Sequence, residues 1–149
     1  MTRARGVTVV GAAGLVGRRV VRALESDGLD VRRIDTRTST LSVGDGDVVV
    51  LALPAPHAPI AAEVGARGAS VVSVVDDLDD TCELLELDDA FVANDASLVV
   101  GAGLAPGLSG LVARYLADQL DQVDEIHVAV HATAGPACAR QHHRALRGT

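Results

Sequence analysis

The sequence contains no lysine and no tryptophan, and only one phenylalanine, one tyrosine, one methionine and two cysteines among 149 residues. Each shortage closes a route. All 13 basic residues are arginine, so no Schiff-base lysine and no lysine general base can come from this chain. With Phe91 and Tyr115 as the only aromatics, the core has to be built from Val, Leu, Ile and Ala. Cys82 and Cys138 show no CxxC or metal-ligand spacing. They read as two free thiols of a cytoplasmic protein, since nothing in their placement supports a disulfide. No apolar run approaches the roughly 18 to 20 residues of a membrane span. The basic start, residues 1–6, leads into a short strand-like run and then glycines, which is not a signal-peptide pattern. The net charge of −7 argues against a nucleic-acid surface. It leaves an anionic cofactor open, because phosphate capture depends on local backbone amides.

What is present is a globular composition, 48% hydrophobic, long enough for one compact domain with a real core. Short β-branched runs alternate with helical stretches. Residues 7–10 read as a first strand. Residues 14–26 read as a helix with Gly17, Val20, Val21 and Leu24 on one stripe and Arg18, Arg19 and Arg22 off it. Gly28 is its stop, and residues 31–34 are a second strand. Residues 47–53, apolar throughout, suit a strand covered on both faces in a parallel sheet. A helix near 58–67 follows, stopped by Gly68. Then come a strand at 71–75, a helix over about 80–94 with a break near Asp88 and Asp89, and a strand at 97–100. Asp77 to Asp80 suit a helix N-terminus. After a second glycine-rich turn, Ser109 is the expected N-cap of a helix whose buried stripe is Leu108, Leu111, Val112, Tyr115, Leu116 and Leu120. Residues 123–130 alternate apolar and polar and read as a sixth strand. Strands alternating with helices imply an α/β fold, a doubly wound parallel sheet of about six strands.

The sharpest local signal is Val10-Gly11-Ala12-Ala13-Gly14-Leu15-Val16-Gly17. It is a spacing variant of the dinucleotide fingerprint, and it closes a strand, opens a helix and begins a βαβ unit. Gly11 permits the sharp turn, Gly14 lets the backbone approach a pyrophosphate, and Gly17 lets the helix pack close to the strand. The alternative is a tight turn with no ligand. Asp35 ends the second strand, where a carboxylate can accept both ribose hydroxyls and repel a 2′-phosphate. This favours NAD over NADP, although Arg37, two residues on, could bind that phosphate. Thr36 stands between them as a further cofactor-contacting candidate.

Ala52, Leu53 and Pro54, ending the third strand, should lie along the cofactor, because ligands bind at the carboxyl ends of parallel strands. His57 could touch the cofactor or act as an acid. Its alternative is to cap a surface helix. Asp76 and Asp77 could face the nicotinamide or simply cap a helix. The turn Gly101-Ala102-Gly103-Leu104-Ala105-Pro106-Gly107 could approach the nicotinamide or only start a helix. Cys138, His142 and His143 match no standard metal site, and no metal is expected.

Four stretches, VVGAAGLVGRRVVRAL, DVVVLALPAPH, SVVDDLDD and VVGAGLAPGLSGLVARYLAD, together resemble the N-terminal domain of saccharopine dehydrogenase-like oxidoreductases. The resemblance implies an NAD(P)-binding Rossmann domain over residues 1–130. It also implies a second α/β domain that binds a small-molecule substrate and mediates homodimerisation, with residues 131–149 as its start. It places Gly11, Gly14, Leu15 and Val16 along the pyrophosphate, beside Ala13 as a further cofactor-binding candidate, and Asp35 on the adenosine ribose. Leu53 and Pro54 would flank the cofactor, with Asp76 and the turn from Gly103 to Gly107 near nicotinamide and substrate. The implied activity is hydride transfer involving an amino-acid-like, imine or keto substrate. A non-catalytic dinucleotide-binding or sensing module is the alternative. Neither nucleic acid nor a membrane is an expected partner.

Overall fold

The computed structural model describes residues 6–35 and 41–129, together with Gly135 and Ala139. In chain order the elements are β1 (Val7–Val10), α1 (Leu15–Ser26), β2 (Val31–Ile34), β3 (Val48–Leu51), α2 (Ala58–Gly65), β4 (Ser70–Ser73), α3 (Leu78–Leu85), α4 (Asp88–Ala93), β5 (Leu98–Val99) and α5 (Leu108–Ala117). All strand pairs are parallel, and the sheet order is β2-β1-β3-β4-β5. The chain therefore builds outward from β1 to β2, then crosses back to place β3 on the other side of β1. That reversal opens a crevice above the carboxyl ends of β1 and β3, where ligands settle in open α/β sheets.

The apolar strands form a core on each face because successive side chains point to opposite sides. Val9 and Val50, paired in register, join Val21 of α1 on one face. Val10, paired with Leu51, joins Ala61 and Val64 of α2, Leu84 of α3 and Phe91 of α4 on the other. The only phenylalanine presses its ring on Gly65, where a Cβ would come within 2.7 Å of it. On α1, Gly17 and Val21 are buried and Val20 and Leu24 half-buried, while Arg18, Arg19 and Arg22 are exposed, as the stripe predicts. The helical region after β4 breaks at residues 86–87, between α3 and α4 and next to the expected Asp88.

Three expectations fail. Residues 123–129 form no strand, so the described residues make a five-stranded sheet rather than six; Val130 lies outside the described residues. Alternation makes a strand only when a neighbour supplies backbone partners, and none of these residues bonds to the edge of β5. The expected buried stripe of α5 is solvated: Leu111 and Tyr115 are each 69% exposed, and Leu108, Val112, Leu116 and Leu120 are exposed too. Leu108, Val112, Leu116 and Leu120 line an open groove of about 470 Å³ with residues 123 and 125–129 instead of a core, and Leu111 and Tyr115 stand outside it. Ser109 is not the N-cap. Gly107 is, because carbonyls of the preceding turn already accept from the first amides of α5.

Candidate functional site

At the end of β1, Gly11 turns the chain with φ +82, and a Cβ there would stand 2.6 Å from the Ala52 carbonyl oxygen. Only glycine combines that backbone conformation with that approach. The amides of Gly11 and Ala12 both donate to the Ile34 carbonyl at 2.9 and 3.2 Å, and the Gly14 amide donates to Gly11 at 2.9 Å. Gly17 is buried against the turn, and a Cβ there would meet the Gly11 carbonyl oxygen at 2.1 Å. This contact brings the first turn of α1 directly onto the tip of β1.

The consequence is electrostatic. Gly14 is the N-cap of α1 and supplies no side-chain bond. The amides of Ala13, Leu15 and Val16 donate to no described residue, and residues 13–16 are all exposed. Open N–H groups at the positive end of a helix dipole form an anion site. Among the described residues no side chain bonds to these amides, and the loop stays at the tip of β1. Backbone already occupies the space a Cβ would take at Gly11 and Gly17, which holds the turn close to the strand tip, and the open amides of residues 13, 15 and 16 fit a dinucleotide's pyrophosphate.

The other candidate residues follow the neighbouring strands of the sheet. Asp35 is exposed immediately after β2; Thr36 and Arg37 lie outside the described residues. Beyond β3, the Ala52 amide donates to the Val10 carbonyl at 2.9 Å, Leu53 is half-buried and Pro54 exposed. Asp76 is exposed between β4 and α3. Asp77 caps α3, its carboxylate accepting from the Asp80 amide at 3.1 Å. Cys82 is a free, exposed thiol, while Cys138, His142 and His143 lie outside the described residues.

The second glycine turn reaches the same edge by another route. The Ala102 amide donates to Ser73 at 2.8 Å and the Gly103 amide to Pro106 at 3.1 Å. Leu108, Ser109 and Gly110, which open α5, donate to Gly103, Leu104 and Gly107. Gly107 has φ +123, and a Cβ there would strike the carbonyls of Gly101 and Gly103 at 2.4 Å. This turn positions backbone beside β4, but it satisfies its helix start internally.

His57 neither meets the surface nor caps a helix with its side chain. It is 0% exposed. Its Nε2 lies 2.8 Å from the Leu53 carbonyl oxygen and its Nδ1 2.7 Å from Ser73 Oγ. Its amide and that of Ala58 donate to the Asp80 carboxylate at 2.7 and 2.9 Å. Ser73 and Asp80, both buried, escaped the sequence reading because these bonds span 16 to 23 residues. Asp80 caps α2 from α3, although its place in an acidic cluster suggests it serves its own helix. Ser73, His57 and Asp80 do not make a nucleophilic triad, for the hydroxyl is sealed and the carboxylate holds the histidine's backbone, not its ring.

The family model for the NAD dependent epimerase/dehydratase family matches residues 7–88, more than half of the chain. The chain belongs to this family. No curated protein matches the sequence. The epimerase/dehydratase match covers β1 through the start of α4, and so includes the open amide patch, Asp35, the exit of β3 and Asp76. This is an NAD(P)-binding domain of Rossmann type, of the kind used by NAD-dependent enzymes. The match stops before the second glycine turn, the more specific part of the resemblance to saccharopine dehydrogenase-like proteins. Among the described residues, no helix is long and apolar enough to cross a membrane.

Proposed function

We propose that this chain is the cofactor-holding part of an oxidoreductase acting on an amino-acid-like, imine or keto substrate, as in saccharopine dehydrogenase-like proteins. The observation that carries the reading is the row of open amides at the start of α1, beside the switch in strand order. In this reading the amides of Ala13, Leu15 and Val16 hold the pyrophosphate. Asp35 accepts from the adenosine ribose, which favours NAD over NADP. Ala52, Leu53 and Pro54 form the wall beyond β1, and Asp76 and Gly103 stand on the β4 side. A bound nicotinamide supplies the hydride acceptor or donor. The residues named here bind and orient it. Substrate-side acids and bases come from a second domain, begun by residues 131–149, which also mediates homodimerisation in a cytoplasmic enzyme.

A second reading, a non-catalytic dinucleotide-binding module, has its own support. The buried histidine, serine and aspartate at the carboxyl edge are sealed from any substrate. Titration of NADH and NADPH, followed through the cofactor's own emission, tests both. Saturable binding with oxidation of NADH on adding a keto acid and an amine supports the enzyme. Binding without turnover, with the proposed second domain present, supports the module. Binding of neither cofactor overturns both.

A further inference from the structure

Resting on that reading of the dinucleotide site, we propose that His57 is a positioning residue for the nicotinamide half of the site and has no part in holding the adenosine half. Asp35 places the adenosine end over β2, on the far side of β1 from β3. The remaining half of the ligand then lies over β3 and β4. Three backbone segments line that side: the exit of β3 at Leu53, the end of β4 at Ser73 to Val75, and the second glycine turn at Ala102.

One chain of hydrogen bonds ties all three together. The Val75 amide donates to Ser73 Oγ at 3.3 Å. The Ser73 hydroxyl donates to His57 Nδ1 at 2.7 Å, and His57 Nε2 donates to the Leu53 carbonyl at 2.8 Å. A carbonyl can only accept, so the ring proton sits on Nε2 and every donor and acceptor in the chain is used once. The Ala102 amide joins through the Ser73 carbonyl at 2.8 Å. Asp80 fixes the histidine from behind by gripping its amide. Removing the ring takes the acceptor from the buried Ser73 hydroxyl and this donor from the part-buried Leu53 carbonyl, and the β3 exit loses its side-chain tether. The adenosine half rests on β1, β2 and α1, none of which bonds to the His57 side chain.

The prediction is therefore a split between two ligands. Calorimetric titrations of the full chain with ADP and with NADH compare wild type, His57→Ala, His57→Gln and Ser73→Ala, each checked for folding by circular dichroism. The affinity for ADP stays within about twofold throughout, while NADH binding weakens about tenfold in His57→Ala. His57→Gln, whose amide can still donate to Leu53, recovers most of it, and Ser73→Ala falls between. If His57→Ala does not fold, the other two variants decide. Parallel weakening of ADP and NADH, or NADH binding unchanged in folded His57→Ala and Ser73→Ala, overturns the proposal and leaves the dinucleotide site standing. A wild-type chain that binds neither ligand overturns the site and the proposal together.

Discussion

The two glycine-rich turns have similar composition and opposite electrostatic outcomes. Both follow a strand, open a helix and lie at the carboxyl edge. In the first, Gly17 drives α1 onto the turn, and the leading amides of the helix are left facing outward. In the second, Gly107 bends the chain so that carbonyls of Gly103, Leu104 and Gly107 meet the leading amides of α5. An anion can be held by the first and has nothing to hold it in the second. Glycine content therefore locates a sharp turn, but whether the turn's own carbonyls take up the leading amides of the helix decides whether it can hold a phosphate.

The strongest way to break this contrast is Gly17→Val. The new side chain would collide with backbone, which cannot yield as a side-chain tip can. We expect destabilisation of about 3 kcal/mol or more, read by thermal circular dichroism, with NADH binding abolished. Gly107→Ala should cost about 2 kcal/mol, since it strains a left-handed residue against two carbonyls. Chain that remains folded should bind ADP as wild type does, and a loss of ADP affinity would erase the distinction between the turns. Gly14→Asp separates stability from binding. A carboxylate at the N-cap should leave stability unchanged or raise it by a few tenths of a kcal/mol, yet weaken NADH about tenfold by repelling its phosphates. The smallest effect belongs to Asp35→Asn, which should reduce the preference for NADH over NADPH about fivefold, read as the ratio of the two dissociation constants.

Much of this architecture was legible in the residues. The first turn could be read because its three glycines fall between a strand pattern and a helix pattern, so spacing and context agree. The arginines of α1 marked its solvent face, and the unbroken apolar run of β3 marked a covered strand. What could not be read depended on partners distant in sequence. The periodicity of α5 is that of a buried helix, but a stripe records only which side is apolar, not whether anything covers it. Residues 123–129 carry a strand's alternation, but among the described residues no neighbouring backbone completes it. His57 suggests a polar surface residue until Ser73 and the Leu53 carbonyl are seen to enclose it. Ser109 had the right chemistry for a cap, but the turn before it had already supplied the acceptors.

The placement of the two aromatic rings has a practical consequence. Phe91 is sealed inside the sheet's helical cover, and Tyr115 stands in water on α5. The single phenol thus experiences nearly the same surroundings before and after denaturation, so ultraviolet emission is blind to events at the molecule's centre. That optical silence is useful: with no indole to overlap it, the blue glow of a reduced nicotinamide would be read against a dark background.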